Sequence, residues 1–310
     1  MIDLEKYILV VVPAKNEERY IKCCLDAVLC QDYSSFNVVV VDNGSVDKTV
    51  KIVKQIPEVV LLKKKDGTIS SLRNFGAKYA SSKYIAFLDG DSVPPSSWLK
   101  TGIEVIQDEK VSCVGFSASR PDARACWVVK TWALMSSSAK HNRSCYVHWL
   151  SSFNLIIERK AFEKIGGFDE SLETCEDYDL GLRLSKFSRL FFSDSLSVEH
   201  LGVVSSLREF FQKELWRGKS NFQQLKISRD GLVGLLGVIV PFCYLVFSIM
   251  LIVISFWNLQ VLLLFVVLFG FPLVFACRRL KSVEQVRFLP KMLVLASVYL
   301  YARGMAIFWR

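Results

Sequence analysis

The sequence of 310 residues lacks any charged residue from Gly231 to Cys277, over 47 consecutive positions. Core helices of soluble proteins rarely extend so far without a charge on their outer face, which argues against the alternative of two buried core helices. A bilayer core about 30 Å thick requires about 20 apolar residues of helix. The run therefore predicts two membrane spans, 232–256 and 259–277, joined by a turn at 257–260.

Cysteine pairs with metal-ligand spacing are also lacking, although the chain contains nine cysteines. An odd number of dispersed cysteines predicts reduced thiols in a cytosolic domain and argues against a disulfide framework. The pattern of a secretory signal peptide is lacking too, because the first apolar run follows Asp3 and Glu5 and is stopped by Pro13.

Positive charge is concentrated behind the apolar run. Residues 231–310 carry +6 of the formal net charge of +9. The basic residues 278–281 follow the run directly, so the positive-inside rule predicts that they and the N-terminal region lie in the cytoplasm. Cations in this position suit anionic lipid headgroups and not nucleic acid. A third apolar segment, 288–309, contains Pro290, Lys291 and Arg303, and fits either a third span or an interfacial helix.

The first ninety residues alternate between apolar runs typical of buried strands, at 7–12, 36–41, 59–62 and 84–88, and segments with helical spacing. This order predicts an α/β fold, with a doubly wound, mostly parallel sheet and helices on both faces. Ligands bind such sheets beyond the carboxyl ends of the strands.

Acidic residues follow three of these strands: Glu17 after the first, Asp42 after the second, and Asp89-Gly90-Asp91 after the fourth. Each alone could be an ordinary turn or a helix cap. Together, at one edge of a sheet, these carboxylates would repel one another unless a divalent cation lay among them.

Five ordered stretches resemble the motifs of family-two glycosyltransferases with the GT-A fold: VVVPAKNEERYIKCCLDAVLCQ, VVVVDNGSVDKT, LRNFGAKYASSKYIAFLDGDS, IGGFDESLETCEDYDLGLRL and VEHLG. The resemblance covers residues 7–202. It implies a nucleotide-sugar donor, expected to be a UDP-sugar, whose diphosphate binds Mg²⁺ or Mn²⁺ at Asp89-Gly90-Asp91, with Asp91 as the direct ligand.

The same resemblance implies roles for further residues. His200 would join Asp91 at the metal, although a lone histidine can also be structural. Arg73 would lie near the base and phosphates, with a solvated helix face as the alternative. The predicted donor-binding residues are Pro13, Ala14, Glu17, Asp42, Arg73, Asp89 and Arg217.

Glu176-Asp177 opens a helix that is predicted to be capped by Thr174 and to continue to Lys186. The resemblance implies that Asp177 is the catalytic base, kept ionised by the helix N-terminus. The alternative is that these acids only complement the helix dipole.

Residues 206–230 mix aromatic and basic side chains, as in an amphipathic interfacial collar between a catalytic domain at 1–205 and a membrane region at 231–310. Processive synthases of the family carry Gln-x-x-Arg-Trp near this position, whereas this chain has Trp216-Arg217. The reversed order does not favour a processive synthase, and Arg217 could still reach the diphosphate.

The sequence therefore predicts a membrane-attached, inverting glycosyltransferase. It would transfer one sugar to an acceptor hydroxyl, expected to be lipid-linked, in cell-surface glycan assembly. The alternatives are transfer to polyprenyl phosphate and an inactive nucleotide-binding subunit of a membrane assembly.

Overall fold

The computed structural model describes residues 7–116, 125–136, 144–218, 231–255, 257, 264–280 and 282–308. Among these residues, 7–116 and 144–202 form one compact unit, and 125–136 groups with the residues from 203 onward in a second. The domain limits 1–205, 206–230 and 231–310 stay a prediction.

The first unit is built on an eight-stranded sheet of order β3-β2-β1-β4-β8-β6-β9-β7, beside a two-stranded ribbon of β5 and β10. Six strands of the large sheet run in one direction, and β8 and β7 run against them. The strands are β1 (Ile8–Ala14), β2 (Phe36–Asp42), β3 (Val59–Lys63), β4 (Tyr84–Leu88), β5 (Ser92–Val93), β6 (Cys113–Gly115), β7 (Cys145–Val147), β8 (Asn154–Glu158), β9 (Leu190–Phe192) and β10 (Glu199–His200).

Helices cover both faces of this sheet, as the alternating sequence predicts. Along β1, Ile8 and Val10 contribute to the core on one face, whereas Leu9 and Val11 contribute to the core on the other. This period of two leaves every residue of β1 buried. The helices of this unit are α1 (Ile21–Leu29), α2 (Thr49–Val53), α3 (Ile69–Ala77), α4 (Trp98–Asp108), α6 (Arg159–Lys164) and α7 (Glu176–Leu184).

The second unit is helical. Its helices are α5 (Trp127–Ser136), α8 (Leu207–Gly218), α9 (Gly231–Ser255), α10 (Phe265–Cys277) and α11 (Leu289–Met305). The other four helices contact α11, whose Leu295, Ala296 and Ala302 are fully buried. At Gly304 the backbone of α11 approaches Pro241 of α9 closely. Helix α11 is therefore the centre of this unit.

One helix within the described part of the chain is long and apolar enough to cross a membrane, at Leu235–Ser255, and one third of its most apolar 18-residue stretch is buried. It lies within the predicted first span. Helix α10 lies within the predicted second span and is shorter, at 13 residues. Several predicted features lie partly outside the described residues. These are the turn at 258–260, residues 259–263 of the second span, Lys281, Trp309 and residues 219–230 of the collar. The membrane hairpin therefore stays a prediction.

Candidate active site

The carboxyl ends of β1, β2 and β4 bring the predicted donor-binding residues to one edge of the sheet. Ala14 pairs with Asp42 across β1 and β2, and Asp89 follows directly after β4. Gly90 lies against the Pro13 carbonyl and the Glu17 side chain. The Glu17 amide donates to Thr49 Oγ1 at 2.7 Å, which fixes the loop after β1 to the first residue of α2.

Asp42 is buried at this edge, with 3% of its surface exposed. Its carboxylate accepts hydrogen bonds from the amides of Gly44 at 3.1 Å and Ser45 at 3.2 Å. These are the contacts of an Asx turn, which the sequence allowed as the ordinary interpretation. Contact between Asp42 and a nucleobase stays a prediction.

Arg73 is buried and joins two of the motifs. Its Nη2 donates to Asp89 Oδ1 at 2.8 Å, and its Nη1 donates to Glu176 Oε1 at 2.8 Å. The Ser152 hydroxyl donates to the same Glu176 oxygen at 3.2 Å. Burial lowers the pKa of the Arg73 guanidinium, but the charges and hydrogen bonds of Asp89 and Glu176 outweigh this effect and hold the pKa above its usual range. This network fixes the loop after β4 to the start of α7.

Asp177 lies next to this network, in the first turn of α7, and is half-buried. Burial, followed by the negative charge of Glu176, raises the pKa of Asp177 to about 7, although the Tyr178 amide and Arg73 act in the opposite direction. Burial therefore disfavours the ionised form that the helix N-terminus was expected to favour, and a role for Asp177 as the base stays a prediction.

Cys175, and not the predicted Thr174, occupies the N-cap of α7 and has φ of 66°. A left-handed conformation is uncommon for a residue other than glycine and is typically retained where surrounding structure imposes it. The backbone that presents Asp177 is therefore held in place by its surroundings.

The β5–β10 ribbon brings Asp91 and His200 together. His200 pairs with Ser92 across the ribbon, and the Leu201 amide donates to the Asp91 carbonyl at 2.8 Å. His200 Nε2 lies 3.6 Å from Asp91 Oδ1, and the Phe153 ring packs edge-on against the imidazole.

These two residues fit a divalent cation that is shared with a diphosphate. No group of three His, Cys, Asp or Glu side chains suited to a metal occurs among the residues that the structure describes. Mg²⁺ is usually held by one or two carboxylates together with substrate phosphates, so two protein ligands suffice. The imidazole nitrogen that faces Asp91 is Nε2, so this nitrogen would be the metal ligand.

Gly202 is required for the position of the Asp91 carboxylate. A Cβ atom at residue 202 would overlap Asp91 Oδ2. The glycine therefore supports the candidate metal site without contacting the metal.

We expect Gly202→Ala to displace the Asp91 carboxylate and to weaken Mn²⁺ binding by about ten- to hundredfold, the scale of losses around metal ligands. Mn²⁺ titration of the full-length protein, followed by electron paramagnetic resonance, measures the affinity. Gly237→Ala is the control, because its Cβ would meet no atom within 4 Å among the described residues. An unchanged Mn²⁺ affinity in Gly202→Ala would contradict the assignment.

Arg217 lies on α8 in the second unit. Its Nη1 donates to Glu214 Oε1 at 2.6 Å, and Arg303 of α11 contacts the other oxygen of the same buried carboxylate. Contact between Arg217 and a diphosphate stays a prediction.

Sequence reasoning missed two contributors to this site, Ser152 and Gly202. Ser152 bonds to a residue 24 positions away, and no spacing rule predicts such a contact. Gly202 belongs to the VEHLG motif, and its position after His200 was the available signal.

Comparison with known proteins identifies the family. The model of "Glycosyl transferase family 2" matches residues 9–166, and that of "Glycosyltransferase like family 2" matches residues 129–223. The chain belongs to glycosyl transferase family 2. Glycosyltransferase AglE of Haloferax volcanii is 37% identical to it over 236 residues, which cover 73% of this chain and 76% of AglE. The chain spans only 21% of the length of two other curated relatives, the hyaluronan synthase and the chondroitin synthase of Pasteurella multocida, which are each 26% identical to it.

Solved structures show the fold of this family 2 glycosyltransferase. The mannosyltransferase PcManGT from Pyrobaculum calidifontis, in complex with GDP-Man and Mn²⁺, has a TM-score of 0.62 at 17% identity, covering 98% of this chain and 88% of that chain. S. aureus TarS 1–349, in complex with UDP-GlcNAc, has a TM-score of 0.52 at 16% identity, covering 97% and 90%. The predicted GT-A fold is confirmed.

Proposed function

We propose that this chain transfers a single sugar, with inversion, from a UDP-sugar to a hydroxyl group of an acceptor. The observation that carries the proposal is the Arg73 network, because it joins the loop with Asp89-Gly90-Asp91 to the helix start with Asp177. A donor diphosphate at the loop and a base at the helix start would then lie on the two sides of one reacting sugar. The UDP-GlcNAc bound by TarS and the GDP-Man bound by PcManGT support a nucleotide-sugar donor.

Asp91 and His200 would hold the Mg²⁺ or Mn²⁺ ion, which supplies positive charge to the leaving diphosphate. Asp177 takes the proton of the acceptor hydroxyl as the new bond to the anomeric carbon forms and the bond to the diphosphate breaks. A pKa of about 7 suits this role, because a general base is most effective when its pKa lies near the working pH.

A neutral hydroxyl acceptor is favoured over polyprenyl phosphate. The first turn of α7 contains Glu176, Asp177 and Asp179. The cations that lie against these carboxylates are already engaged, Arg73 with Glu176 and Asp89, and Arg183 with Asp179. No uncommitted cation among these contacts would attract an anionic acceptor, and the carboxylates would repel it.

We also propose that the second unit attaches the enzyme to a membrane, with the first unit in the cytoplasm. Helix α9 exposes large apolar side chains, with Ile249, Met250 and Val253 each more than half exposed. Patches of this kind mark contact with lipid or with a partner protein. A membrane-attached site suits a lipid-linked acceptor in the assembly of cell-surface glycans.

Turnover of labelled nucleotide sugars by the full-length protein in lipid nanodiscs tests the proposal. We expect transfer from a UDP-sugar, inhibition by EDTA, and recovery with Mn²⁺ or Mg²⁺. Binding of a UDP-sugar without turnover of any donor in a UDP and GDP panel would indicate the inactive subunit instead. Full activity in EDTA would contradict the metal assignment but not the transfer reaction.

A further inference from the structure

Residues 148–152 form a segment that runs along the start of α7. Gly181 lies four residues after Asp177 and therefore on the same face of the helix. A Cβ atom at Gly181 would lie 2.6 Å from Trp149 Cα and 2.8 Å from the His148 carbonyl oxygen. At the other end of the segment, Ser152 bonds to Glu176. The segment thus borders the face of α7 that carries Asp177.

Trp149 is the large exposed aromatic residue of this segment. Its side chain is 44% exposed, and its ring packs edge-to-face with Tyr178, the residue after Asp177, at 6.1 Å between centroids. The Tyr178 contact fixes the indole and leaves part of its surface open beside the candidate base.

Comparable aromatic residues of the first unit are covered by cations. Lys64 lies over Phe75, Lys164 over Phe187 and Arg189 over Tyr146. Within the described part of the chain, no cation lies over the Trp149 ring. An aromatic ring left open at the edge of a candidate active site is suited to contact with a ligand.

We propose that Trp149 is the acceptor platform, on which a sugar ring of the acceptor stacks while its hydroxyl group reaches Asp177. One face of a pyranose ring presents C–H groups, which are attracted to the electron-rich face of an indole. The inference rests on the proposed function and specifies its acceptor as a sugar-terminated molecule, since a lipid alcohol or a phosphate offers no such face.

Binding of p-nitrophenyl glycosides of glucose, galactose, mannose and N-acetylglucosamine tests the platform directly. Saturation-transfer NMR on the full-length protein in nanodiscs compares wild type, Trp149→Ala, Trp149→Phe and the control Phe187→Ala, which removes an exposed aromatic of the same unit. We expect one glycoside to bind about tenfold or more weakly to Trp149→Ala, the effect of uncovering roughly one ring face. Trp149→Phe should recover most of the binding, and Phe187→Ala should change little.

The outcomes separate the platform from the proposed function. Equal binding by wild type and Trp149→Ala, or no glycoside binding by wild type, would overturn the platform. A parallel loss of UDP binding in Trp149→Ala would overturn it as well, because the residue would then serve the donor side or the fold. If glycoside binding depends on Trp149 but no donor is turned over, the platform is retained and the transfer reaction is refuted.

Discussion

Replacing Asp177 by asparagine is expected to lower turnover by about 10²-fold or more, the usual effect of losing a positioned base. Asparagine keeps the shape of the side chain but cannot accept the acceptor proton. Donor affinity should change little, because Asp177 is assigned to the acceptor side. Initial rates and UDP binding of the full-length variant measure both quantities.

The same substitution is expected to stabilise the protein at neutral pH. The pKa of Asp177 is raised from 3.8 to about 7 in the folded chain, so the folded state binds the proton more tightly than the unfolded state does. The free energy of unfolding therefore decreases as the pH rises from about 4 to about 7. Above pH 7 the full destabilisation by the ionised Asp177 is present. Asp177→Asn removes this penalty, so its melting temperature should exceed that of wild type at pH 8 and approach it near pH 4.

Asp179→Asn provides the matched control in the same helical turn. Asp179 bonds to Arg183 Nε at 2.8 Å, so its replacement breaks an ion pair and should lower the melting temperature. Its turnover should stay within about tenfold of wild type, because a structural ion pair supplies no proton transfer. If Asp177→Asn is less stable than wild type at pH 8 and nearly as active, the helix-dipole interpretation is correct and the base assignment fails.

The first half of the sheet was predictable because its strands are buried on both faces. A continuous apolar run has few other interpretations, and the predicted strands at 7–12, 36–41, 59–62 and 84–88 match β1 to β4. The antiparallel strand β8 was not predicted. Its pairing with β4 depends on residues about seventy positions apart, such as Ala86 and Ile156, and no local period encodes such a pairing.

The candidate site was predictable as a list of residues and not as a set of contacts. Asp91 stood out by its place after a predicted strand and His200 by the family resemblance, and the ribbon that pairs Ser92 with His200 explains why they meet. The pKa of Asp177 depends on burial, which is a property of the folded unit. The sequence indicated only the helix dipole and could not show the burial that raises this pKa.

Arg73→Ala is expected to destabilise the first unit by about 3 kcal/mol, at the low end of the range for removing one partner of a buried ion pair. The side chain of Glu176 is 12% exposed and would be left buried without its cation. Asp89 contributes less to the loss, because its side chain is 32% exposed and water can screen its charge. Thermal melting of the variant, at pH 7 and in the absence of nucleotide, measures the loss of stability.

Arg73→Lys should recover little of that loss. A guanidinium bonds to Asp89 and Glu176 through two different nitrogens, whereas a lysine ammonium is one point charge and cannot reproduce that geometry. Arg73→Met combined with Glu176→Gln removes the buried charge together with its partner, and it should be more stable than Arg73→Ala alone.

A direct role of Arg73 at the donor phosphates predicts the opposite pattern: normal melting of Arg73→Ala, with a loss of UDP affinity. If that pattern is observed, Arg73 belongs to the donor site, and another contact must join the Asp89-Gly90-Asp91 loop to Asp177.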